Sequence, residues 1–351
     1  MPIAPPDAQD LEEAVRWAYR LLLDREPESA EVIQAHAKAH QSVAAIRRAF
    51  MLSNEFSKKA AADEVRLPGS EVLSHFPRWT GKGEPGFWYD FLGVKTRCEY
   101  FPDGREVLSG TVQGPPGTEQ APLHDVAEWI GTLRSVLEAR TRGSLVVVEL
   151  GAGWGPWLVD AAKAAERVGI RDVHLAGVEG AQSHFDFMLQ HFRDNGLDPN
   201  AYLLICGVVG SEDGTARFPK LSNPRGEWGA KADYCAEAPS DEPFEAVPCV
   251  ALTTLLAQLP PVDLIHCDVQ GAEHDVLTSA RDALQSRVAR VVVGTHSRRI
   301  EADLLEFFAA LGWGLEAEGA CRLDQPRGHG FLRLLRDGYQ VWANPNRSRL
   351  Q

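Results

Sequence analysis

The chain has no cysteines at CxxC spacing. Its six, Cys98, Cys206, Cys235, Cys249, Cys267 and Cys321, are scattered, which excludes a zinc framework or a disulfide scaffold and leaves buried thiols as their ordinary use. It is also short of positive charge: 36 Lys and Arg stand against 49 Asp and Glu, a formal net charge of −13. That balance gives no basic footprint for nucleic acid or an anionic membrane. No apolar run reaches the roughly 20 residues that cross a bilayer. The opening MPIAPPDAQD lacks the basic start and apolar core of a secretory leader, so a cytoplasmic protein without a transmembrane segment is expected. There is no internal repeat and no low-complexity tract.

What is present exceeds one core of ordinary size, since 351 residues suggest a large domain with an appendage. Residues 1–66 read as an N-terminal helical domain. Val15, Ala18, Tyr19 and Leu22, then Ile33 and Ala37, fall at helical spacing, Pro27 breaks the run within Arg25–Ser29, and Ser42 and Ser53 are candidate caps. Residues 67–120 read as a linker and lid-like segment, rich in Pro and Gly at both ends and aromatic between. Residues 121–351 read as the main domain. An amphipathic helix near 125–140 leads into a strand, and the elements then alternate as a doubly wound α/β sheet requires. Helices are expected near 156–168, 182–195, 252–259, 272–286 and 300–311. Strands are expected near 173–178, 202–208, 262–267 and up to His296, with terminal strands near 313–319 and 331–343. The proline-bearing stretch 210–248 is expected to form an insertion over the site.

The run LVVVELGAGWG, 145–155, is a β-branched strand ending in Glu149 and turning through Gly151, Gly153 and Gly155. Such a turn lets backbone approach a ligand closely. A dinucleotide fold would favour a glycine after Gly155, where this chain has Pro156, and a carboxylate at Glu149 repels phosphate. A cationic, phosphate-free ligand fits better, and S-adenosylmethionine, with its sulfonium and ammonium, is one.

Ligands of open α/β sheets lie beyond the carboxyl ends of the strands. Those ends supply Glu179 in HLAGVEG, suited to ribose hydroxyls, Asp268 in DLIHCDVQGAEHDVL, with Glu273 opening the next helix, and His296. A strand-end carboxylate can be a base, a metal ligand or only a helix cap.

Together, ELGAGWG, GVEG, VDLIHCDVQGAEHDVL and THS resemble the FkbM-type S-adenosylmethionine-dependent methyltransferases over about residues 120–320. The resemblance implies a mostly parallel, seven-stranded Rossmann-like methyltransferase sheet. It implies that Glu149, Gly151, Gly153, Trp154 and Gly155 surround the methionine end of S-adenosyl-L-methionine. Glu179, with Gly180 beside it, would hold the ribose, while Asp268, also bordering the cofactor, Glu273 and His296 would lie toward the acceptor. Relatives often carry a lysine where this chain has His266, which reads as a core histidine. YRLLLDREPES and FMLSNEF, Tyr19 to Phe56, are similar to a helical domain that accompanies enzymes of bacterial surface-glycan assembly.

The expected activity is O-methylation of a hydroxyl on a sugar, glycan or related small metabolite, a form of polysaccharide modification. Nucleic acid is not an expected partner, and a homo-oligomer is compatible with the sequence. An alcohol acceptor needs a base, and His296, with an ordinary pKa of about 6.5, suits neutral pH better than Asp268, which would orient it. The other version has Asp268 and Glu273 hold Mg²⁺ against adjacent hydroxyls. Trp79, Trp88, Tyr89, Trp228 and Tyr234 could stack on sugar faces. The alternatives are a nicotinamide-dependent oxidoreductase and a non-catalytic nucleoside-binding protein of the same fold.

Overall fold

The computed structural model describes residues 8–23, 25–40, 42–51, 53, 55, 70–101, 108–116, 125–234, 243–325 and 333–347. Residues 56–69 and 117–124, and Cys235, on which parts of the sequence reading fall, lie outside the described residues. The chain divides into two compact units, Met1–Leu67 and Pro68–Gln351.

The first unit contains α1 (Ala8–Leu22), α2 (Ala30–Ala39) and α3 (Val43–Met51). Val15, Tyr19, Leu23, Ile33, Ile46 and Phe50 form its core. Capping explains the boundaries: Ser29 accepts from the Val32 amide at the start of α2, and Ser42 accepts from Ala45 at 3.1 Å at the start of α3. The Ser53 hydroxyl donates to the Phe50 carbonyl at 2.7 Å, at the end of α3.

The second unit is built on a seven-stranded, mostly parallel Rossmann-like sheet. Its strands are β3 (Ser144–Leu150), β4 (Asp172–Glu179), β5 (Leu203–Cys206), β9 (Val262–Cys267), β10 (Val288–Thr295), β11 (Gly314–Gly319) and β14 (Gly338–Ala343). They lie in the order β11-β14-β10-β9-β3-β4-β5, and β14 runs antiparallel to both of its neighbours. Every residue of β9 and β10 is buried, as expected of parallel strands covered on both faces. The helices are α4 (Val126–Ala139), α5 (Pro156–Arg167), α6 (Gln182–Asp194), α7 (Leu252–Ala257), α8 (Glu273–Ser279), α9 (Arg281–Arg287) and α10 (Arg298–Ala310).

Three expectations need correction. The helix expected at 272–286 is two, α8 and α9, hinged at Ala280. This bend keeps Leu277, Ala280 and Leu284 in one buried cluster. The last strand splits at Asp337 into β13 (Arg333–Arg336) and β14, and β13 pairs with β12 (Arg322–Asp324). The stretch 210–248 contributes regular structure as well: β7 (Gly214–Pro219) and β8 (Phe244–Ala251) join β6 (Val208–Gly210) in a three-stranded sheet. Residues 87–97 form a hairpin of β1 (Phe87–Tyr89) and β2 (Lys95–Arg97). None of the described helices is long and apolar enough to cross a membrane.

Candidate active site

The chain leaves β3 toward β4 on one side of the sheet, whereas β9, the other neighbour of β3, leads to β10 on the opposite side. Strand order therefore reverses between β3 and β9, and a crevice opens beyond their carboxyl ends. A cavity of about 790 Å³ occupies that position. Gly151, Gly153, Trp154, Glu179, Gly180 and Asp268 all line it.

The glycines are required by backbone geometry. Gly151, Gly153 and Gly155 have φ of 72°, 54° and 70°, the left-handed region that L side chains rarely enter. A Cβ on Gly151 would lie 1.8 Å from the Asp268 carbonyl oxygen, so the ends of β3 and β9 meet backbone to backbone. At Gly153 the first obstacle is the Trp228 ring, 3.5 Å away. The amides of Gly151 and Ala152 both donate to the Val178 carbonyl at 3.0 Å, fixing the turn against β4.

The two strand-end glutamates differ. Glu149 reaches the cavity wall, but its carboxyl accepts from the amides of Trp157 and Leu158, at 3.4 and 3.1 Å, in the first turn of α5. Burial pushes its pKa upward against the pull of those two amides, and the pair of bonds makes Glu149 a helix cap. Glu179 is held by the glycine turn itself. That carboxylate accepts from Gly153 N and Ala181 N, each at 2.8 Å, and each oxygen keeps a second lone pair for a ligand hydroxyl.

Asp268, His296 and Glu273 are brought together in a fixed order. Asp268 lies on the cavity wall with 38% of its side chain exposed, over Gly294 of β10, and Gln270 Nε2 donates to it at 2.8 Å. His296 Nε2 is 3.3 Å from Asp268 Oδ1. On its other side Nδ1 is 2.8 Å from Glu273 Oε1, which also accepts from Gly271 N at 2.8 Å. Neither His296 nor Glu273 is among the residues lining the cavity. Burial pushes the Asp268 carboxyl up to about 6. For His296 burial acts downward, yet the surrounding Glu273 and Asp268 carboxylates outweigh it and raise its pKa.

Sequence reasoning missed Asp337, Glu128 and His184, and the place of His266 in the cavity wall. Asp337, in the turn between β13 and β14, lines the cavity with its Oδ1 3.8 Å from His296 Nε2. Glu128 of α4 lines it with Oε1 3.2 Å from His266 Nε2. His266 is buried as expected of a core residue, but its ring, stacked on Trp157 at 4.8 Å, is part of the cavity wall. His184 also lines the cavity, stacked on Trp228 at 4.0 Å. The only sequence signal for Glu128 was its spacing from Asp125, and the two do form a capping box. Of the aromatic candidates, Trp228 and Tyr234 line the cavity. Trp79 and Tyr89 stack on each other at 4.9 Å and Trp88 is buried beside Phe101. The five described cysteines are free thiols.

A protein named as a methyltransferase from Jannaschia sp. (strain CCS1) is 34% identical over 254 residues, spanning 70% of this chain and 88% of that one. The chain belongs to this methyltransferase family. No family model matches the methyltransferase. Among solved structures it is similar to methyltransferase FkbM from Methylobacillus flagellatus KT, at 14% identity and TM-score 0.37, covering 56% of this chain and 44% of that one. It is also similar to a precorrin-6y C5,15-methyltransferase from Geobacter metallireducens GS-15, at 13% identity and TM-score 0.32, covering 60% and 86%. As a methyltransferase, the protein has to hold a methyl donor and an acceptor in line, and its cavity is large enough for ligands of ordinary cofactor size.

Proposed function

We propose that the methyltransferase is of the FkbM type, takes its methyl group from S-adenosyl-L-methionine, and places it on a hydroxyl of a sugar, glycan or related small metabolite. The observation that carries this reading is the Glu179 carboxylate bonded to the glycine turn at the switch point of the sheet. Backbone at Gly151 and Gly153 admits the methionine end, and the lone pairs of Glu179 meet the ribose hydroxyls. The described lining residues include Glu128, Glu179, Asp268 and Asp337 and no Lys or Arg, an environment that favours a sulfonium over a pyrophosphate.

In the transfer, the methyl carbon leaves the sulfonium sulfur, which becomes a thioether, as a bond forms to the acceptor oxygen, and the hydroxyl proton passes to Asp268 and the His296 base behind it. The enzyme's part is alignment and removal of that proton. The order Asp268, His296, Glu273 from the cavity inward puts Asp268 against the acceptor. His296, held at Nδ1 by Glu273, stands behind it, so it reaches the acceptor only by way of Asp268. Glu273, turned inward, suits a positioning role. The likeness of the N-terminal segment to a domain accompanying glycan-assembly enzymes supports a glycan acceptor, and Trp228 and Tyr234 offer faces for a sugar.

Titration calorimetry tests the donor. S-adenosylmethionine should bind the wild type, Glu179→Gln should weaken binding about tenfold or more, close to 1.4 kcal/mol, and NAD should give no heat. NAD binding in place of S-adenosylmethionine would establish the oxidoreductase instead. Donor consumption over a panel of surface-polysaccharide fragments then tests the acceptor: an active donor-binding enzyme that ignores every glycan refutes the glycan assignment.

A further inference from the structure

The Glu179 carboxylate sits in a closed circuit of contacts that reaches beyond the glycine turn. Gly153 N donates to its Oε2 at 2.8 Å, and Nδ1 of His184, in the first turn of α6, stands 3.7 Å from its Oε1. The His184 ring lies flat on the indole of Trp228, with centroids 4.0 Å apart and planes 9° from parallel. The indole closes the circuit, since its Cζ3 and Cε3 atoms are 3.5 and 3.7 Å from the place of a Cβ on Gly153. All four residues line the cavity. They come from the turn after β3, the end of β4, α6 and the stretch between β7 and β8.

That last stretch is tied to the circuit at a second point. Pro224 O is 2.7 Å from His184 Nε2, and a carbonyl only accepts, so Nε2 donates and the ring that meets Glu179 also holds the segment carrying Trp228. Within the segment Glu227 accepts from Ser222 Oγ at 3.0 Å and from Asn223 N at 2.7 Å, and Trp228 Nε1 donates to Arg225 O at 2.9 Å. Trp154 of the glycine turn stands nearly perpendicular to the indole at 4.9 Å. Trp228 is therefore a fixed wall beside the turn, with one face already covered by His184.

We propose that Trp228 is a binding residue for the methyl donor, and that His184 is the positioning residue that keeps Trp228 and Glu179 in register. The inference deepens the proposed function and rests on it. A nucleoside held at its ribose by Glu179 packs its apolar surface on the indole, which adds buried area where Glu179 supplies only polar contacts. The aromatic face left for a sugar is then that of Tyr234.

Titration calorimetry of S-adenosylmethionine into the full-length protein tests this, with tryptophan emission recorded in parallel and circular dichroism confirming that each variant is folded. Trp228→Leu should weaken donor binding by about fivefold or more, and a smaller loss would overturn the inference. The emission change that the donor causes in the wild type should shrink by about half or more in Trp228→Phe. An undiminished change would place the donor away from this ring. Trp79→Phe, whose parent ring stacks on Tyr89, should bind as the wild type does. His184→Gln keeps an amide able to donate to Pro224 O and should retain more donor affinity than His184→Leu, which cannot; equal losses would remove His184 from the positioning role. A wild type that takes up no S-adenosylmethionine refutes the donor reading and this inference with it. Equal binding by the wild type and Trp228→Leu refutes the inference alone.

Discussion

Two glycines two positions apart in one turn face different obstacles. At Gly151 an added methyl meets the Asp268 carbonyl, part of a backbone that cannot retreat without parting β3 from β9; at Gly153 it meets a tryptophan ring at ordinary contact distance. Gly151→Ala should therefore lower the melting temperature and abolish measurable donor binding, whereas Gly153→Ala, strained at φ 54°, should weaken binding by about 1 kcal/mol. Calorimetry and thermal melts on the two proteins decide it, and equal effects would mean that the turn is not locked by the β9 end. At the acceptor edge, Asp268→Asn should cut turnover by 10² to 10⁴ and leave donor affinity within about threefold, a split read from kcat and from the donor titration. The sequence made these residues legible because each sits at the end of a strand whose pattern was clear. Glu128 and Asp337 were not legible: one lies on the helix before the glycine turn and the other in a turn near the chain's end, and only the folded sheet brings them to the same cavity.

The strands explain both what could be read and what could not. Continuous apolar runs marked β3, β9 and β10 to within a residue or two, because strands covered on both faces carry little polar interruption. One charged interruption is Arg290, in VARVVVGT and 1% exposed. Its guanidinium donates to Glu138 of α4 at 2.9 Å and to Glu316 of β11 at 2.7 Å, joining a helix, a central strand and the sheet edge. Nothing local in the sequence pairs residues so far apart. Similarly, no breaker residue announces the hinge at Ala280, which follows from how neighbouring elements pack, whereas the Asp337-Gly338 pair is a turn signal at the split. Arg290→Ala takes the guanidinium from Glu138, 10% exposed, and leaves Glu316, 21% exposed, with Arg134 alone at 2.8 Å, and should cost about 3 kcal/mol. Arg290→Met together with Glu138→Gln and Glu316→Gln should recover much of that loss. Urea denaturation of the single and triple variants measures both, and a single variant as stable as wild type would show that the ion pairs carry no weight.

Across the second unit, buried acids tie stability to pH. Asp90, beside the β1–β2 hairpin, and Asp160 of α5 are 3% and 4% exposed and border one small void of about 10 Å³. Burial pushes Asp90 up to about 6, with Asp160 and the amides of Val94 and Leu92 pulling the other way. Burial, followed by the charge of Asp90, pushes Asp160 well above the carboxylate range. A carboxyl whose folded pKa lies above its unfolded value near 3.8 binds its proton more tightly in the native state. Its contribution is fully present below the unfolded pKa and is lost as pH rises through the folded one. The melting temperature of the second unit should accordingly decline from about pH 4 through about pH 6, opposite to the behaviour of salt-bridged carboxylates. Asp160→Asn removes one acid and gives Asp90 an amide N–H donor in place of the Asp160 carboxyl, so its melting temperature should change less over the same range. Melting curves of the two proteins in matched ionic strength separate this pair from every other titrating group, because only the difference in slope is attributed to it. Parallel slopes would show that Asp90 and Asp160 do not share the burden of a buried charge, and the pH dependence would then lie elsewhere in the sheet.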